Sequence, residues 1–272
     1  MDAYIFDVDG VITDVRKRRV TNPELIKYLI LLLQKQNPIA FISGRTLPWL
    51  KERVINRITE YVQGNNLDNK LLDNIYISGE FGGCQMIFEN GEAKETINSA
   101  IELDPKLVQK ATEISEGFLD VVFIDTEKQT EFTVELNQNL TVDDFIKHEG
   151  KIADAYRKLV KELRMEESIE VFEDRLGITI KLRIANKMFA TGEFLNWLGR
   201  KNISLDEFRV FGDSPSDLQI GEELKKRNLQ FKFIYVGNPN DLKDKMSFPI
   251  IFTVEKFGKE TNEGTLRYLE QE

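Results

Sequence analysis

The fold of this chain is decided by residues 3–13, which read AYIFDVDGVIT. The apolar first part predicts a buried strand, and the strand ends in two carboxylates, Asp7 and Asp9, followed by Gly10. Glycine allows the backbone to turn sharply at such a strand end. At the carboxyl edge of a parallel sheet, where α/β folds bind their ligands, this pair could act as a nucleophile and an acid/base. Taken alone, the segment is also consistent with a strand end whose two acids are solvated before a turn.

Two further apolar runs end in polar residues, and a lysine opens a helix between them. The apolar run 38–42 is followed by Ser43-Gly44-Arg45. The run 208–211 is followed by Gly212-Asp213 and, four residues later, by Asp217. Between these two runs, Asn186-Lys187 precedes a predicted helix over 188–198. The recurrence favours a site built from several loops over an isolated turn.

In chain order these motifs are Asp-x-Asp-Gly, Ser, Lys and Gly-Asp-x-x-x-Asp. The ordered set resembles the haloacid-dehalogenase superfamily of phosphotransferases. The matches lie on separate predicted elements and span most of the chain, so the set is far more specific than a single Asp-x-Asp-Gly. The resemblance implies an α/β fold with a Rossmann-like core, a parallel sheet and a phosphatase site.

Composition limits the class of partner. The chain has 272 residues, a formal net charge of -9 and 41% hydrophobic residues. The negative charge argues against nucleic acid as a partner, since binding to a phosphate backbone needs a basic surface. A small anion can still be held locally by serine, lysine and backbone N–H groups.

The single cysteine, Cys84, and the single histidine, His148, exclude several kinds of site. An intrachain disulfide cannot form, and a zinc site of His and Cys ligands is excluded. A serine hydrolase would need a Gly-x-Ser-x-Gly elbow, which does not occur. Any metal ligands would therefore be oxygens, which favours magnesium. No secretory signal is recognisable, and the most apolar stretch, residues 29–33, is too short to span a membrane, so we expect a cytoplasmic protein with no membrane partner.

Strands alternate with helices in both terminal parts of the chain, which predicts a parallel sheet. The expected strands are 3–6, 39–42, 75–78, 208–211, 231–236 and 249–252, and the expected helices are 23–36, 47–62, 188–198 and 216–227. The middle of the chain differs in character. Its expected elements are a hairpin with Asn90-Gly91 at the turn, antiparallel strands 121–125 and 131–136, a helix over 142–163, and strands 169–172 and 178–183 joined by a turn at Leu176-Gly177.

We therefore expect two domains. Residues 1–80 and 184–272 would form the core, and residues 81–183 an inserted α+β domain. An insertion between the Ser and Lys motifs resembles the C2-type cap of the Cof-like, sucrose-phosphatase and trehalose-phosphatase groups. The resemblance implies that the core recognises phosphate and the cap selects a small phosphorylated metabolite, with a sugar phosphate as the expected substrate.

The resemblance also implies a role for each motif residue. Asp7 is expected to attack phosphorus and form an aspartyl-phosphate, which divides one difficult displacement into two easier ones. Asp9 is expected to protonate the leaving oxygen and then to take a proton from the attacking water. Ser43, the backbone of Gly44 and Lys187 are expected to hold the phosphoryl oxygens.

Two carboxylates that face a phosphate dianion would repel it without a cation. Mg²⁺ suits a site of hard oxygen ligands. By resemblance, its ligands are the carboxylates of Asp7 and Asp213 and the backbone carbonyl of Asp9.

Three further residues lie close to these motifs and have more than one expected role. Asp217 either binds the metal through water or orients Lys187. Arg45 either reaches the substrate or forms a surface salt bridge. Ser216 stands where the family often has Asn, so an amide oxygen that could serve as a ligand is missing there.

Two alternatives to hydrolysis remain open. A phosphomutase or phosphotransferase would return the phosphoryl group to a sugar rather than to water. A non-catalytic ligand-binding protein would keep the fold without turnover, since fold does not imply function. The motifs do not specify an oligomeric state.

Overall fold

The computed structural model describes residues 1–174, 177–242 and 247–272. The described chain divides into two compact units. The core unit comprises residues 1–96 and 186–272, and the inserted unit comprises residues 97–185. Within the described residues, none of the helices combines the length and the apolar character that crossing a bilayer requires.

The strands and helices are numbered in chain order. The strands are β1 (Asp2–Asp7), β2 (Ile39–Ile42), β3 (Ile75–Gly79), β4 (Cys84–Glu89), β5 (Glu92–Ile97), β6 (Val122–Ile124), β7 (Phe132–Leu136), β8 (Ile169–Asp174), β9 (Gly177–Leu182), β10 (Glu207–Gly212), β11 (Phe231–Tyr235) and β12 (Ile250–Phe252). The helices are α1 (Pro23–Gln34), α2 (Leu47–Leu50), α3 (Asn56–Gly64), α4 (Pro105–Ser115), α5 (Val142–Glu162), α6 (Lys187–Arg200), α7 (Leu218–Lys226), α8 (Thr253–Phe257) and α9 (Thr261–Leu269).

The core unit is built on a mixed sheet with the strand order β12-β11-β10-β1-β2-β3-β4-β5. Neighbouring strands from β12 to β3 are parallel, whereas β4 is antiparallel to β3. Asp7 at the end of β1 lies opposite Ile42 of β2, and Phe6 lies opposite Phe211 of β10. The carboxyl ends of these three strands therefore meet at one edge of the sheet.

The central strands are buried on both faces, as their nearly continuous apolar runs predict. On one face, Ile5 belongs to the same buried cluster as Trp197 of α6. On the other face, Phe6 belongs to a cluster with Leu29 of α1. The rings of Phe6 and Phe211 stack there with their centroids 4.6 Å apart. Helices thus cover both faces of the sheet.

The start of α1 follows from local sequence. The side chain of Asn22 accepts a 3.0 Å hydrogen bond from the N–H of Glu24, and Pro23 occupies the first helical position. Both choices stabilise a helix N-terminus, because asparagine satisfies a donor that lacks a helical partner and proline has no donor there to satisfy.

The inserted unit contains an antiparallel sheet with the order β6-β7-β9-β8. Phe145 and Tyr156 of α5 share one buried cluster with Val134 of β7 and Ile180 of β9, so α5 packs on this sheet. The turn predicted at Leu176-Gly177 lies partly outside the described residues.

A capping box begins α5. The hydroxyl of Thr141 accepts a hydrogen bond from the N–H of Asp144, and the carboxylate of Asp144 accepts one from the N–H of Thr141. Each side chain thereby satisfies a donor that has no partner inside the helix.

The α/β class and the separate α+β insertion predicted from the sequence are confirmed. The hairpin with Asn90-Gly91 belongs to the core unit, because β4 pairs with β3 and places Met86 opposite Ile77. The units consequently divide after residues 96 and 185, whereas the sequence placed the insertion at residues 81–183.

Candidate active site

Asp7 ends β1 at the carboxyl edge of the core sheet. Its side chain is almost fully buried, since β10 and β2 flank β1 on either side. Oδ1 of Asp7 accepts a 2.6 Å hydrogen bond from Nζ of Lys187. The ammonium group fixes the orientation of the carboxylate and partly balances its charge.

Lys187 is the first residue of α6. The side chain of Asn186 caps this helix by accepting a 3.0 Å hydrogen bond from the N–H of Phe189. The N–H of Lys187 donates to Oε1 of Gln219 at 3.1 Å. These contacts fix the backbone from which the buried lysine side chain extends to the sheet edge.

Asp217 holds the other side of the same ammonium group through its Oδ1. Its Oδ2 accepts hydrogen bonds from the N–H of Asp213 at 3.0 Å, from the N–H of Ser214 at 2.8 Å and from the hydroxyl of Ser214 at 2.9 Å. The side chain is completely buried. Of the two roles that the sequence leaves open for Asp217, these contacts correspond to the orientation of Lys187.

Three carboxylates converge beside this lysine. One oxygen from each of Asp7, Asp213 and Asp217 lies within 4.8 Å of the others. Burial, together with the charge of Asp217, raises the pKa of Asp213 from 3.8 to about 7. Burial also raises the pKa of Asp7, against the opposing attraction of Lys187. Full ionisation of the cluster would therefore place three negative charges beside one ammonium group.

Lys187 remains charged in this environment. Burial disfavours the ammonium form, but the carboxylates of Asp217 and Asp7 outweigh burial and raise the pKa of Lys187 above its ordinary value. The lysine is thus a fixed point charge at the sheet edge.

The carboxylate cluster fits a divalent cation of the magnesium type. Such a cation requires hard oxygen ligands. The raised pKa of Asp213 identifies a carboxyl whose charge the protein leaves uncompensated. Because the oxygens of Asp217 already accept hydrogen bonds from the protein, the carboxylates of Asp7 and Asp213 are the ones available to hold the ion.

Asp9 and Arg45 form an ion pair at the entrance to this cluster. Oδ2 of Asp9 accepts a 2.8 Å hydrogen bond from Nε of Arg45, and 40% of the Asp9 side chain is exposed. The guanidinium group of Arg45 also lies over the ring of Trp49, 5.1 Å from its centroid. The salt bridge that the sequence left open for Arg45 exists, and its partner is the second acid of the Asp-x-Asp motif.

Gly10 and Thr13 fix the turn that carries Asp9. Gly10 has a φ of +77°, and a Cβ at this position would lie 2.2 Å from Oδ2 of Asp213. The hydroxyl of Thr13 donates to the carbonyl of Val8 at 3.1 Å and accepts from the N–H of Gly10 at 3.3 Å. The sequence analysis did not include Thr13 among the site residues. A hydroxyl residue three positions after the glycine is the signal that could have identified it.

Ser43 and Gly44 follow β2 at the same edge. The N–H of Ser43 donates to the carbonyl of Ser78 at 2.9 Å, and its Oγ accepts from the N–H of Arg45 at 3.1 Å. Gly44 lies against the ring of Phe81, and a Cβ on Gly44 would come within 2.5 Å of that ring. The loop after β3 therefore shapes the loop that carries Ser43.

Most of the predicted site residues lie at this edge of the sheet. The contacting group consists of Asp7, Asp213, Asp217 and Lys187, and the adjoining loops carry Asp9, Ser43, Gly44 and Arg45. Ser216 does not join them, because its side chain is exposed and its hydroxyl lies 2.8 Å from that of Ser214.

Solved structures resemble the chain over nearly its whole length. The C-terminal domain of the C. albicans trehalose-6-phosphate phosphatase aligns with a TM-score of 0.66 and 16% identity, over 99% of this chain and 91% of that one. A haloacid dehalogenase-like hydrolase from Bacteroides thetaiotaomicron aligns with a TM-score of 0.65 and 13% identity, over 99% and 98%. The Plasmodium falciparum IMP-nucleotidase aligns with a TM-score of 0.59 and 16% identity, over 91% and 63%.

No family model matches the sequence, and no curated protein matches it significantly. At the identities found among solved structures, the likeness concerns the fold. It agrees with the strand order of the core sheet and with the separate antiparallel sheet of the inserted unit. The chain therefore has the haloacid-dehalogenase fold, with an α+β domain of the cap type inserted between Ser43 and Lys187.

Proposed function

We propose that this protein is a Mg²⁺-dependent phosphatase that hydrolyses a small phosphorylated metabolite through an aspartyl-phosphate. The observation that carries the proposal is the buried Lys187, which is held between Asp7 and Asp217 beside a third carboxylate, Asp213. Nucleophile, fixed cation and metal-ligating oxygens thus lie within a few ångströms at a sheet edge that binds ligands in α/β folds.

Asp7 supplies the nucleophile. Lys187 engages Oδ1, which leaves Oδ2 to attack phosphorus. The new bond joins Oδ2 to phosphorus while the bond from phosphorus to the leaving oxygen breaks. Water then attacks the same phosphorus, inorganic phosphate leaves, and the Asp7 carboxylate is regenerated.

Asp9 moves the proton in both steps. It donates a proton to the leaving oxygen in the first step and accepts one from the attacking water in the second. The hydrogen bond from Arg45 engages one oxygen of Asp9, and the other oxygen would carry the proton in this proposal.

Ser43, the backbone of Gly44 and Lys187 bind the transferring phosphoryl oxygens in this proposal. The ring of Phe81 against Gly44 and the N–H of Arg45 on Ser43 Oγ keep this loop in one conformation. A site that is ordered in advance stabilises developing charge without reorganising during the reaction.

The carboxylates of Asp7 and Asp213 would hold the divalent ion, with the Asp9 backbone carbonyl as a further ligand by family resemblance. When bound, the ion supplies Lewis-acid polarisation of the phosphoryl group and offsets repulsion between the dianion and the carboxylates.

The expected substrate is a sugar phosphate. Support comes from the named activity of the trehalose-6-phosphate phosphatases, which share the fold over 99% of this chain. The inserted unit, which lies in the sequence between the Ser43 and Lys187 motifs, is the part expected to distinguish one leaving group from another. A cytoplasmic location and the absence of a nucleic-acid partner stay predictions from composition.

Phosphate release from a panel of sugar phosphates, phosphoglycolate and an aryl phosphate tests the proposal. The panel is assayed with Mg²⁺, with a chelator, and with the Asp7→Asn variant. We expect turnover that needs both the metal and Asp7. Asp206→Asn, which changes an exposed acid just before the start of β10 at the opposite edge of the core sheet, is the matched control and should retain full activity.

Two results would redirect the proposal. Recovery of a phosphorylated sugar in place of inorganic phosphate would identify a phosphotransferase. A folded protein that binds these compounds without releasing phosphate from any of them would support a non-catalytic role.

A further inference from the structure

A run of four basic residues, Arg16-Lys17-Arg18-Arg19, forms an exposed turn in the connection between β1 and α1. We call these residues the basic turn. The run is unusual for this chain, whose formal net charge is -9. The connection leaves β1 directly after Asp7, so the basic turn belongs to the set of loops at the carboxyl edge of the core sheet.

Backbone hydrogen bonds to Asp14 hold the turn in one shape. The N–H of Asp14 donates to the carbonyl of Arg19 at 3.0 Å, and the N–H of Arg18 donates to the carbonyl of Asp14 at 2.7 Å. Oδ1 of Asp14 accepts from the N–H groups of Arg16 and Lys17 at 2.9 Å and 2.8 Å. Oδ1 of Asp14 therefore accepts hydrogen bonds from the backbone of the turn and not from its cationic side chains.

The four cationic side chains form no ion pair with any part of the chain that the structure describes. Some cations elsewhere on the surface do pair with acids, as Lys259 does with Glu263 and Arg227 with Glu223. Four positive charges beside the single carboxylate of Asp14 leave a local net charge of +3. Clustered charges of one sign create a local potential that attracts ions of the opposite sign.

Both ends of the turn are attached to loops of the proposed active site. On one side, the hydroxyl of Thr13 bonds to Val8 and Gly10, in the loop that carries Asp9. On the other side, the N–H of Val20 donates at 3.1 Å to the carbonyl of Arg53, in the helical segment that continues from the Ser43 loop. The basic turn is thus anchored at one end to the loop that carries Asp9 and at the other end to the helical segment that follows the Ser43 loop.

We propose that the basic turn attracts the dianionic substrate to the active site and selects for substrates with a high negative charge. The inference rests on the proposed phosphatase function. A phosphate monoester approaching a protein of net charge -9 is repelled overall, so a local positive field beside the site is needed to offset this repulsion.

The positive field of the basic turn favours substrate binding and does not affect the phosphoryl-transfer step. The cations lie outside the group that contacts the reacting atoms, so the turn raises kcat/KM through KM and leaves kcat unchanged. Exposed charges are screened over ~10 Å at ~0.1 M salt, so the effect must weaken as ionic strength rises. Electrostatic attraction of this kind changes the rate of substrate association by roughly 10- to 1000-fold.

The test replaces Arg16, Lys17, Arg18 and Arg19 together by Gln and measures kcat and KM between ~0.01 M and ~0.3 M salt. The matched control replaces four exposed cations of the inserted unit by Gln and so produces the same change in net charge. The control positions are Lys106, Lys151, Lys161 and Arg164. Far-ultraviolet circular dichroism confirms that both variants are folded.

At low salt we expect the variant of the basic turn to lose about tenfold in kcat/KM with kcat preserved. Its kcat/KM should vary little with salt, whereas the values of wild type and control should fall steeply. An unchanged salt dependence in this variant, or an equal loss in the control, would overturn the inference. So would a fall in kcat with no change in KM.

Binding of inorganic phosphate, measured by calorimetry over the same salt range, provides a readout without turnover. Phosphate affinity that falls with salt in the wild type and not in the variant supports the basic turn even if no phosphatase substrate is found. Phosphate release with a kcat/KM that does not depend on salt in the wild type supports the proposed phosphatase function and overturns the role of the basic turn.

Discussion

Nζ of Lys187 lies 2.6 Å from Oδ1 of Asp7, although 180 positions separate the two residues in the chain. Asp7 ends the first strand, and Lys187 begins the first helix after the inserted unit. The proposed active site is therefore assembled from both segments of the core unit, and neither segment holds the nucleophile and its cation together.

Lys187→Met should abolish phosphatase activity and strongly destabilise the fold. The variant leaves the buried carboxylates of Asp7 and Asp217 without a counter-charge, and breaking a buried ion pair costs about 3–5 kcal/mol. Equilibrium unfolding in urea measures the loss. Lys259→Met, which removes a half-exposed lysine of an ion pair on the same unit, is the control and should change stability little. Equal losses in the two variants would contradict this account of the buried cluster.

Gly10→Ala should lower the stability of the protein by more than the strain of a positive φ alone would. A Cβ at Gly10 would lie 2.2 Å from Oδ2 of Asp213, in addition to the strain of a φ of +77°. Gly258→Ala is a matched control, because Gly258 has a φ of +66° and no atom within 4 Å of the added Cβ. We expect the control to lose about 1–2 kcal/mol by thermal unfolding. Gly10→Ala should lose more and should also lose Mg²⁺-dependent activity.

Stabilisation of the protein by Mg²⁺ should increase with pH. Burial and Asp217 raise the pKa of Asp213 to about 7, so in the metal-free protein this carboxyl favours the protonated form. Its contribution to the free energy of unfolding is full below about pH 4 and is lost as the pH rises through about 7. A bound cation compensates the charge that appears over this range. The shift in melting temperature caused by Mg²⁺ should therefore be small near pH 6 and large near pH 8.

Asp213→Asn separates this effect from other pH effects. The variant cannot ionise at this position, so its response to Mg²⁺ should be weaker than that of the wild type and should change less with pH. A wild-type response that is equal at both pH values would exclude Asp213 as the group that competes with the metal for protons.

Stability of the inserted unit should fall at high pH because of Tyr156. Its hydroxyl is buried and lies 2.7 Å from Oγ of Ser115, and burial raises the pKa of Tyr156 from 10.0 to about 12. A raised tyrosine pKa stabilises the fold fully below pH 10, and this contribution disappears as the pH rises through 12. It amounts to about 3 kcal/mol. Unfolding between these pH values should show the decline in wild type and a smaller one in Tyr156→Phe, with Tyr28→Phe as the control.

The edge of the core sheet could be predicted because it is encoded locally. Each of β1, β2 and β10 is an apolar run that stops at a polar residue, and parallel strands of a sheet present these ends together. The contact of Asp9 with Arg45 could not be predicted in this way. This contact depends on how closely two loops approach each other in the folded protein. The sequence of neither loop determines that distance.

The sheet to which the hairpin of β4 and β5 belongs could not be predicted from local sequence either. Asn90-Gly91 specifies the turn, but the choice of sheet depends on the pairing of β4 with β3, where Met86 lies opposite Ile77. By contrast, α4 had a local signal that our sequence analysis did not use. Asp104 accepts a 2.7 Å hydrogen bond from the N–H of Lys106, and an aspartate before a proline is typical of a helix start.

The position of β1 between β2 and β10 has a consequence for synthesis of the chain. β2 follows within forty residues, but β10 begins at residue 207, so one side of β1 has no partner until most of the chain has been translated. An unpaired strand edge is a template for association with other chains. We expect the nascent protein to depend on chaperones during this interval, and a ribosome stalled within the inserted unit to release a fragment that aggregates.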